Sequence, residues 1–154
     1  MTQVRWDDDR ESRTGVPEVV FGPGKTTAHL RQIFENAKEL RMASRLSDEQ
    51  MEVLSDLATI YPEARMAVRN PRAKRNIPVV PVITAGTADI PVALEAATTL
   101  DAMGVPTATP FDVGAAGIHR LQSILPELAA ARVCTVPPRM GAADPAAAAP
   151  PPRA

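Results

Sequence analysis

Apolar positions along the chain change their spacing twice. From Met1 to Gly24 the sequence is polar and broken by Gly15, Pro17, Gly22, Pro23 and Gly24. Between these turns lies one short strand-like run, Glu18-Val19-Val20-Phe21. Leu30, Ile33, Phe34, Ala37 and Leu40 then recur at i, i+3, i+4, i+7 and i+10, one face of a helix. Thr26 or Thr27 caps its start. A second helix is predicted from Ser47, because Gln50 stands where a capping box requires Glu or Gln. Met51, Leu54 and Ala58 form its apolar side. Residues 1–70 therefore read as a small helical N-terminal module. Near its end Ala64-Arg65-Met66-Ala67-Val68 has the composition of a strand. Arg69, Arg72, Lys74 and Arg75 then surround Pro71 as a basic linker, either a solvated connection or a contact for an anionic ligand.

From Ile77 the pattern becomes that of an α/β fold. Ile77 to Thr84 is an apolar run interrupted by prolines, a buried strand. A helix follows from about Asp89, with Val92, Ala93, Ala96, Ala97, Leu100 and Met103 inward and Gly104 at its end. Val105 to Phe111 reads as a strand. Gly114 to Ala131 reads as a helix that Pro126 kinks or breaks, and Arg132 to Val136 as a third strand. Strand, helix, strand, helix, strand predicts a parallel, doubly wound sheet over residues 77–136. Residues 137–154 are mostly Ala, Pro, Arg and Gly and cannot bury enough apolar surface to order themselves, which predicts a disordered tail.

Composition narrows the function classes. A net charge of −1 over 154 residues argues against a dedicated nucleic-acid binder. No apolar run is long enough to span a bilayer, and the polar N-terminus has no secretory-signal pattern. The single cysteine, Cys134, cannot close an internal disulfide, which points to a reducing cytoplasm. Cys134 falls within a predicted buried strand and reads as structural rather than reactive. With one cysteine and two distant histidines there is no zinc-ligand pattern, and no Walker loop or dinucleotide fingerprint is present.

In a doubly wound sheet, ligands bind where strands end and helices begin. Two segments have that position. In Thr84-Ala85-Gly86-Thr87-Ala88-Asp89, Gly86 permits close backbone approach, Thr87 offers a hydroxyl, and the helix start favours an anion. Asp89 is either the helix cap or a ligand-binding carboxylate. In Asp112-Val113-Gly114-Ala115-Ala116-Gly117-Ile118-His119-Arg120, two glycines frame the turn and Asp112 is placed for a ribose or a metal. His119 is either an ordinary partly buried histidine or a proton-transfer group. Arg120 faces either a phosphate or a surface carboxylate.

The two turns in this order, the first running on through Ile90-Pro91-Val92-Ala93, resemble the start of the PurE-type domain of LarB proteins. Asp7, Arg10, Arg13, Gly15, Pro17-Glu18-Val19 and Gly24-Lys25-Thr26 resemble the leader of the same family. The resemblance implies a flavodoxin-like, PurE-type sheet. It also implies a carboxylase/hydrolase that carboxylates the pyridinium ring of nicotinic acid adenine dinucleotide and hydrolyses its phosphoanhydride, for the nickel-pincer nucleotide. The resemblance further implies carbon dioxide or bicarbonate as co-substrate, assistance by Mg2+, and a homo-oligomer for the full-length protein. Carried over by position, Gly86, Thr87, Asp89, Asp112, Gly114, Gly117 and Arg120 bind substrate, with His119 and Asp89 in catalytic positions. Ala88 departs from the family's serine. After Val136 the family continues with a Gly-Met-Glu-Gly turn, further elements and a late cysteine that attacks the ring. Here only Met140 is in register, so the sheet is expected to be incomplete, the chain a truncated or frame-shifted reading, and its activity slight. The related alternatives are a PurE-like aminoimidazole-ribonucleotide carboxylase of purine synthesis and a non-catalytic nucleotide-binding module.

Overall fold

A computed structural model describes residues 6, 7, 9–84 and 86–110. The chain divides into two compact units, with the division after Ala73. The first comprises the residues up to Ala73 together with Ala102–Gly104; the second comprises Lys74–Asp101 and the residues from Val105 onward.

The first unit contains α1 (Arg10–Thr14), β1 (Val19–Phe21), α2 (Thr27–Glu35), β2 (Arg41–Ser44), α3 (Asp48–Glu52), β3 (Thr59–Tyr61) and β4 (Met66–Arg69). Its strands form one four-stranded sheet in the order β1-β2-β4-β3. β1 and β2 run parallel, Val19 opposite Met42, with α2 as their crossover. β4 is antiparallel to both β2 and β3. The helices expected here are thus joined by a mixed sheet. Leu30, Ile33 and Phe34 of α2 pack on Val20 and Ala43 of the sheet and on Leu54 just beyond α3. Full burial of a side chain such as Phe34 contributes about 1.5–3 kcal/mol.

Local chemistry sets the element ends. Thr26 caps α2, its hydroxyl accepting from the His29 N–H at 3.2 Å. The helix stops at Glu35, five residues short of the periodic pattern. Ala37 and Leu40 are buried all the same, in the connection to β2, where the Asn70 amide donates to the Ala37 and Glu39 carbonyls. A buried loop residue matched the helical period by coincidence. At α3 the capping box is complete: the Ser47 hydroxyl accepts from the Gln50 N–H, and the Gln50 side chain accepts from the Ser47 N–H. The same Gln50 amide donates to the Gly22 carbonyl at 3.0 Å and the Lys25 carbonyl at 2.8 Å. One buried side chain therefore joins the α3 cap to the β1–α2 turn. Gly22 is required there by space, since a Cβ would sit 2.9 Å from both Leu46 Cδ2 and the Ser44 carbonyl oxygen.

The second unit holds β5 (Val80–Pro81), α4 (Ile90–Ala102) and β6 (Thr107–Ala108). β5 and β6 are parallel, so the segment is a strand–helix–strand unit. The ladder explains how a strand accommodates a proline. The Val80 and Val82 N–H groups donate to the Pro106 and Ala108 carbonyls at 2.9 and 2.8 Å. Pro81 lies between them, where an N–H would point away from β6 and is not needed. Val82 packs with Ala93 and Ala97, and Ala96 and Leu100 close over them. The expected strand beginning at Ile77 starts late: Ile77 and Val79 are exposed. The mixed α/β class expected from the sequence is the class observed. The predicted helix 114–131, strand 132–136 and tail lie outside the described residues.

Gly22→Ala and Gln50→Ala should each destabilise the chain by about 1–3 kcal/mol, the first by overpacking and the second by loss of buried hydrogen bonds. Urea unfolding followed by circular dichroism measures both.

Candidate functional site

Gly86, Thr87 and Asp89 come together in one turn at the end of β5. Gly86 is extended (φ −145°, ψ 165°), and a Cβ there would meet no atom within 4 Å. Its value is therefore open space above the turn rather than a special backbone angle. Thr87–Asp89 form a single 3-10 turn that leads directly into α4, with the Asp89 N–H on the Gly86 carbonyl at 3.2 Å. Thr87 is exposed and Asp89 is buried, at 5% exposure. The hydroxyl is thus presented outward, while the carboxylate is turned into the protein at the position just before α4. Asp112, Gly114, Gly117, His119 and Arg120, the remaining expected site residues, lie outside the described residues.

The basic linker resolves into individual contacts. Arg72 pairs with Glu11, and Lys74 pairs with Asp101. The Arg69 guanidinium donates to the Leu57 carbonyl at 3.4 Å. These pairs favour a structural connection over a common anion contact.

A concave feature, which the sequence did not reveal, lies within the first unit. It is a cavity of about 380 Å³. The leader residues Trp6, Asp7, Glu11 and Glu18 line it with Lys38, Glu39, Arg41 and Arg72. Arg41 begins β2, is 7% exposed, and places its guanidinium carbon 3.4 Å from the centroid of the Trp6 ring. A cation over an aromatic face accounts for a buried arginine at a strand start. The leader is secured around this stack. Arg13 forms a two-pronged pair with Asp7 at 2.6 and 3.1 Å. The Asp7 N–H donates to the Glu18 carboxylate at 3.2 Å. Hydrogen bonding to Arg13 holds the Asp7 carboxyl below its usual range, and hydrogen bonding to Arg72 does the same for Glu11. Composition gave no signal for the cavity, because its lining comes from three segments far apart in sequence.

Among the described residues no group of three or more His, Cys, Asp or Glu is arranged to hold a metal ion. No described helix is long and apolar enough to cross a membrane.

Comparison with known proteins assigns the first unit to a class. Residues 1–71 match the sequence model of the LarB/PurE-like N-terminal domain. Over that segment, a little under half of its length, the chain is similar to the LarB/PurE-like family. It is also similar to an uncharacterized protein of Methanocaldococcus jannaschii, 37% identical over 151 residues. That similarity covers 87% of this chain, so it extends into the second unit, and 57% of the relative. The chain thus spans little more than half the length of the relative it matches.

Carboxylates held below their unfolded values stabilise the leader above those values and lose that effect as pH falls through the depressed ones. The emission of the lone tryptophan, Trp6, should therefore be steady from about pH 5 to 8 and shift to the red below about pH 4, as Asp7 and Glu11 protonate. Arg13→Ala should raise the midpoint of that shift in a fluorescence titration.

Proposed function

We propose that this chain carries the nucleotide-holding part of a LarB-type carboxylase/hydrolase acting on nicotinic acid adenine dinucleotide. The supporting observation is a LarB/PurE-like N-terminal domain, residues 1–71, followed in the same chain by a parallel strand–helix–strand unit. Its β5–α4 turn carries Gly86, Thr87 and Asp89. In this reading the Thr87 hydroxyl and the open backbone at Gly86 receive a phosphate, and Asp89 fixes the start of α4 beneath it. Asp112, Gly114, Gly117 and Arg120 complete the pocket, with His119 and Asp89 in the proton-transfer positions.

The reaction balances in two steps. In the reaction that the family resemblance implies, a thiolate first adds to the electron-poor pyridinium, a carbon of the resulting dihydropyridine attacks carbon dioxide, supplied as such or as bicarbonate, and loss of that carbon's proton expels the thiolate and restores the ring. Water then divides the phosphoanhydride into a carboxylated mononucleotide and AMP. The described residues contain no all-protein metal cage. Magnesium, which usually arrives on substrate phosphates with one or two carboxylates, is the ion that the family resemblance implies. The reading places the reaction in the cytoplasm and its enzyme in a homo-oligomer, the assembly that the family resemblance implies.

Titration calorimetry tests the nucleotide assignment. Nicotinic acid adenine dinucleotide should bind saturably, more tightly with magnesium, and Thr87→Val should weaken binding about tenfold or more without shifting the melt. Asp89→Ala should weaken it sharply. No binding, or unchanged affinity in both variants, would remove the assignment. Mass spectrometry of mixtures with bicarbonate then identifies the chemistry. A gain of one carboxyl group with release of AMP supports the enzyme, binding without turnover supports a non-catalytic nucleotide-binding module, and carboxylation of aminoimidazole ribonucleotide would place the chain in purine synthesis.

A further inference from the structure

We propose that the cavity of the first unit binds a free α-amino acid as its zwitterion, with the leader segment as its lid. The charges around it select that class of ligand. Asp7, Glu11, Glu18 and Glu39 contribute acid, and Lys38, Arg41 and Arg72 contribute base. Asp7 is engaged by Arg13, and Glu11 by Arg72. Lys38 and Glu39 are exposed neighbours at the edge, and the Glu39 charge also acts on the Arg72 guanidinium. A lone anion entering this space meets carboxylates, and a lone cation meets ammonium and guanidinium groups. Each would lose water without full compensation. A ligand with an ammonium at one end and a carboxylate at the other pairs with Glu18 or Glu39 and with Lys38 at the same time.

The aromatic wall offers no open face to a quaternary ammonium. Quaternary ammonium groups are held on open aromatic faces. Here the Trp6 ring carries the Arg41 guanidinium at 3.4 Å and also packs against the core. An ammonium that donates hydrogen bonds to carboxylates suits the lining better. The volume, about 380 Å³, lies at the small end of the range for small-molecule pockets, roughly 300–1,000 Å³.

The leader has the construction of a lid. α1 buries none of its residues. Its attachments are the Trp6–Arg41 stack with Trp6 packed on the core, the Asp7 N–H to Glu18 hydrogen bond, and ion pairs whose side chains are one-third to more than one-half exposed, and such pairs contribute little each. A segment so attached opens locally at small cost and admits a ligand.

The test uses the whole chain and the standard L-amino acids, titrated one at a time at millimolar concentration by calorimetry. At least one should bind saturably. For that amino acid the N-acetyl form, which lacks the ammonium, and the methyl ester, which lacks the carboxylate, should each bind about tenfold or more weaker. Lys38→Ala and Glu39→Gln, both at exposed positions, should melt as the parent chain does and weaken binding by a similar factor. Bound ligand should slow tryptic cleavage after Arg10 and Arg13. Failure of every amino acid to bind overturns the proposal, as does equal binding of the blocked forms or unchanged affinity in both variants. Nucleotide binding at the β5–α4 turn stands or falls separately, since Thr87→Val leaves this cavity untouched.

Discussion

Two strands running in the same direction cannot be joined by a tight hairpin; the chain must return along the full length of the pair before it can pair again. Both units are built on that constraint. β1 and β2 are parallel across α2, and β5 and β6 are parallel across α4. Each crossover needs an apolar face to cover the sheet, hence Leu30, Ile33 and Phe34 in α2 and Ala93 and Ala97 in α4. Each also needs a turn in which an extended chain becomes a helix. In the first unit that turn, Gly22 to Thr26, is filled from within: Gly22 has no room for a Cβ, and the Gln50 amide occupies its carbonyls. In the second unit the corresponding turn is open above Gly86. The same supersecondary device therefore gives a sealed corner in one unit and an accessible one in the other.

What could be read from the sequence follows from how local each signal is. The capping box at Ser47 and Gln50 and the Leu30–Phe34 face involve residues within one or two helical turns, and both were legible. The parallel β1–β2 pairing was not. β2 begins with Arg41, whose charge hides it among exposed positions; its burial depends on Trp6, distant in sequence and brought over it only by the fold. Ala37 and Leu40 carried a helical period into a segment that is not helical, because burial in a loop and burial on a helix leave the same mark in the sequence. The Gly86-Thr87-Asp89 turn was legible as a turn. Its division of labour was not, since only burial distinguishes an outward hydroxyl from an inward carboxylate.

The open β5–α4 turn and the cavity of the first unit differ in the chemistry they offer. The β5–α4 turn offers backbone, a hydroxyl and a helix start, groups that suit a phosphate and discriminate weakly among its bearers. The cavity in the first unit offers fixed charges of both signs around a buried guanidinium, groups that discriminate strongly and gain little from either sign of ligand alone. A chain holding both has one place suited to the common part of many nucleotides and another suited to a small charged molecule.

The leader residues on which the family resemblance rests take on a defined physical role. Arg13 holds Asp7, the Asp7 backbone meets Glu18, and Trp6 is thereby set on Arg41. None of these contacts makes a nucleophile or a general base: Arg13 is paired, and the Asp7 and Glu11 carboxyls are held charged by guanidinium partners. A motif rich in Asp, Glu and Arg ahead of a strand–helix–strand unit invites a catalytic reading. The geometry instead makes it a clasp, in which Asp7 and Glu11 hold Arg13 and Arg72, Glu18 holds the Asp7 backbone, and the stacked pair closes one wall of a cavity. Recognition of such a leader in a sequence therefore identifies the architecture of the first unit, and the chemistry of the protein has to be sought at the strand ends that follow it.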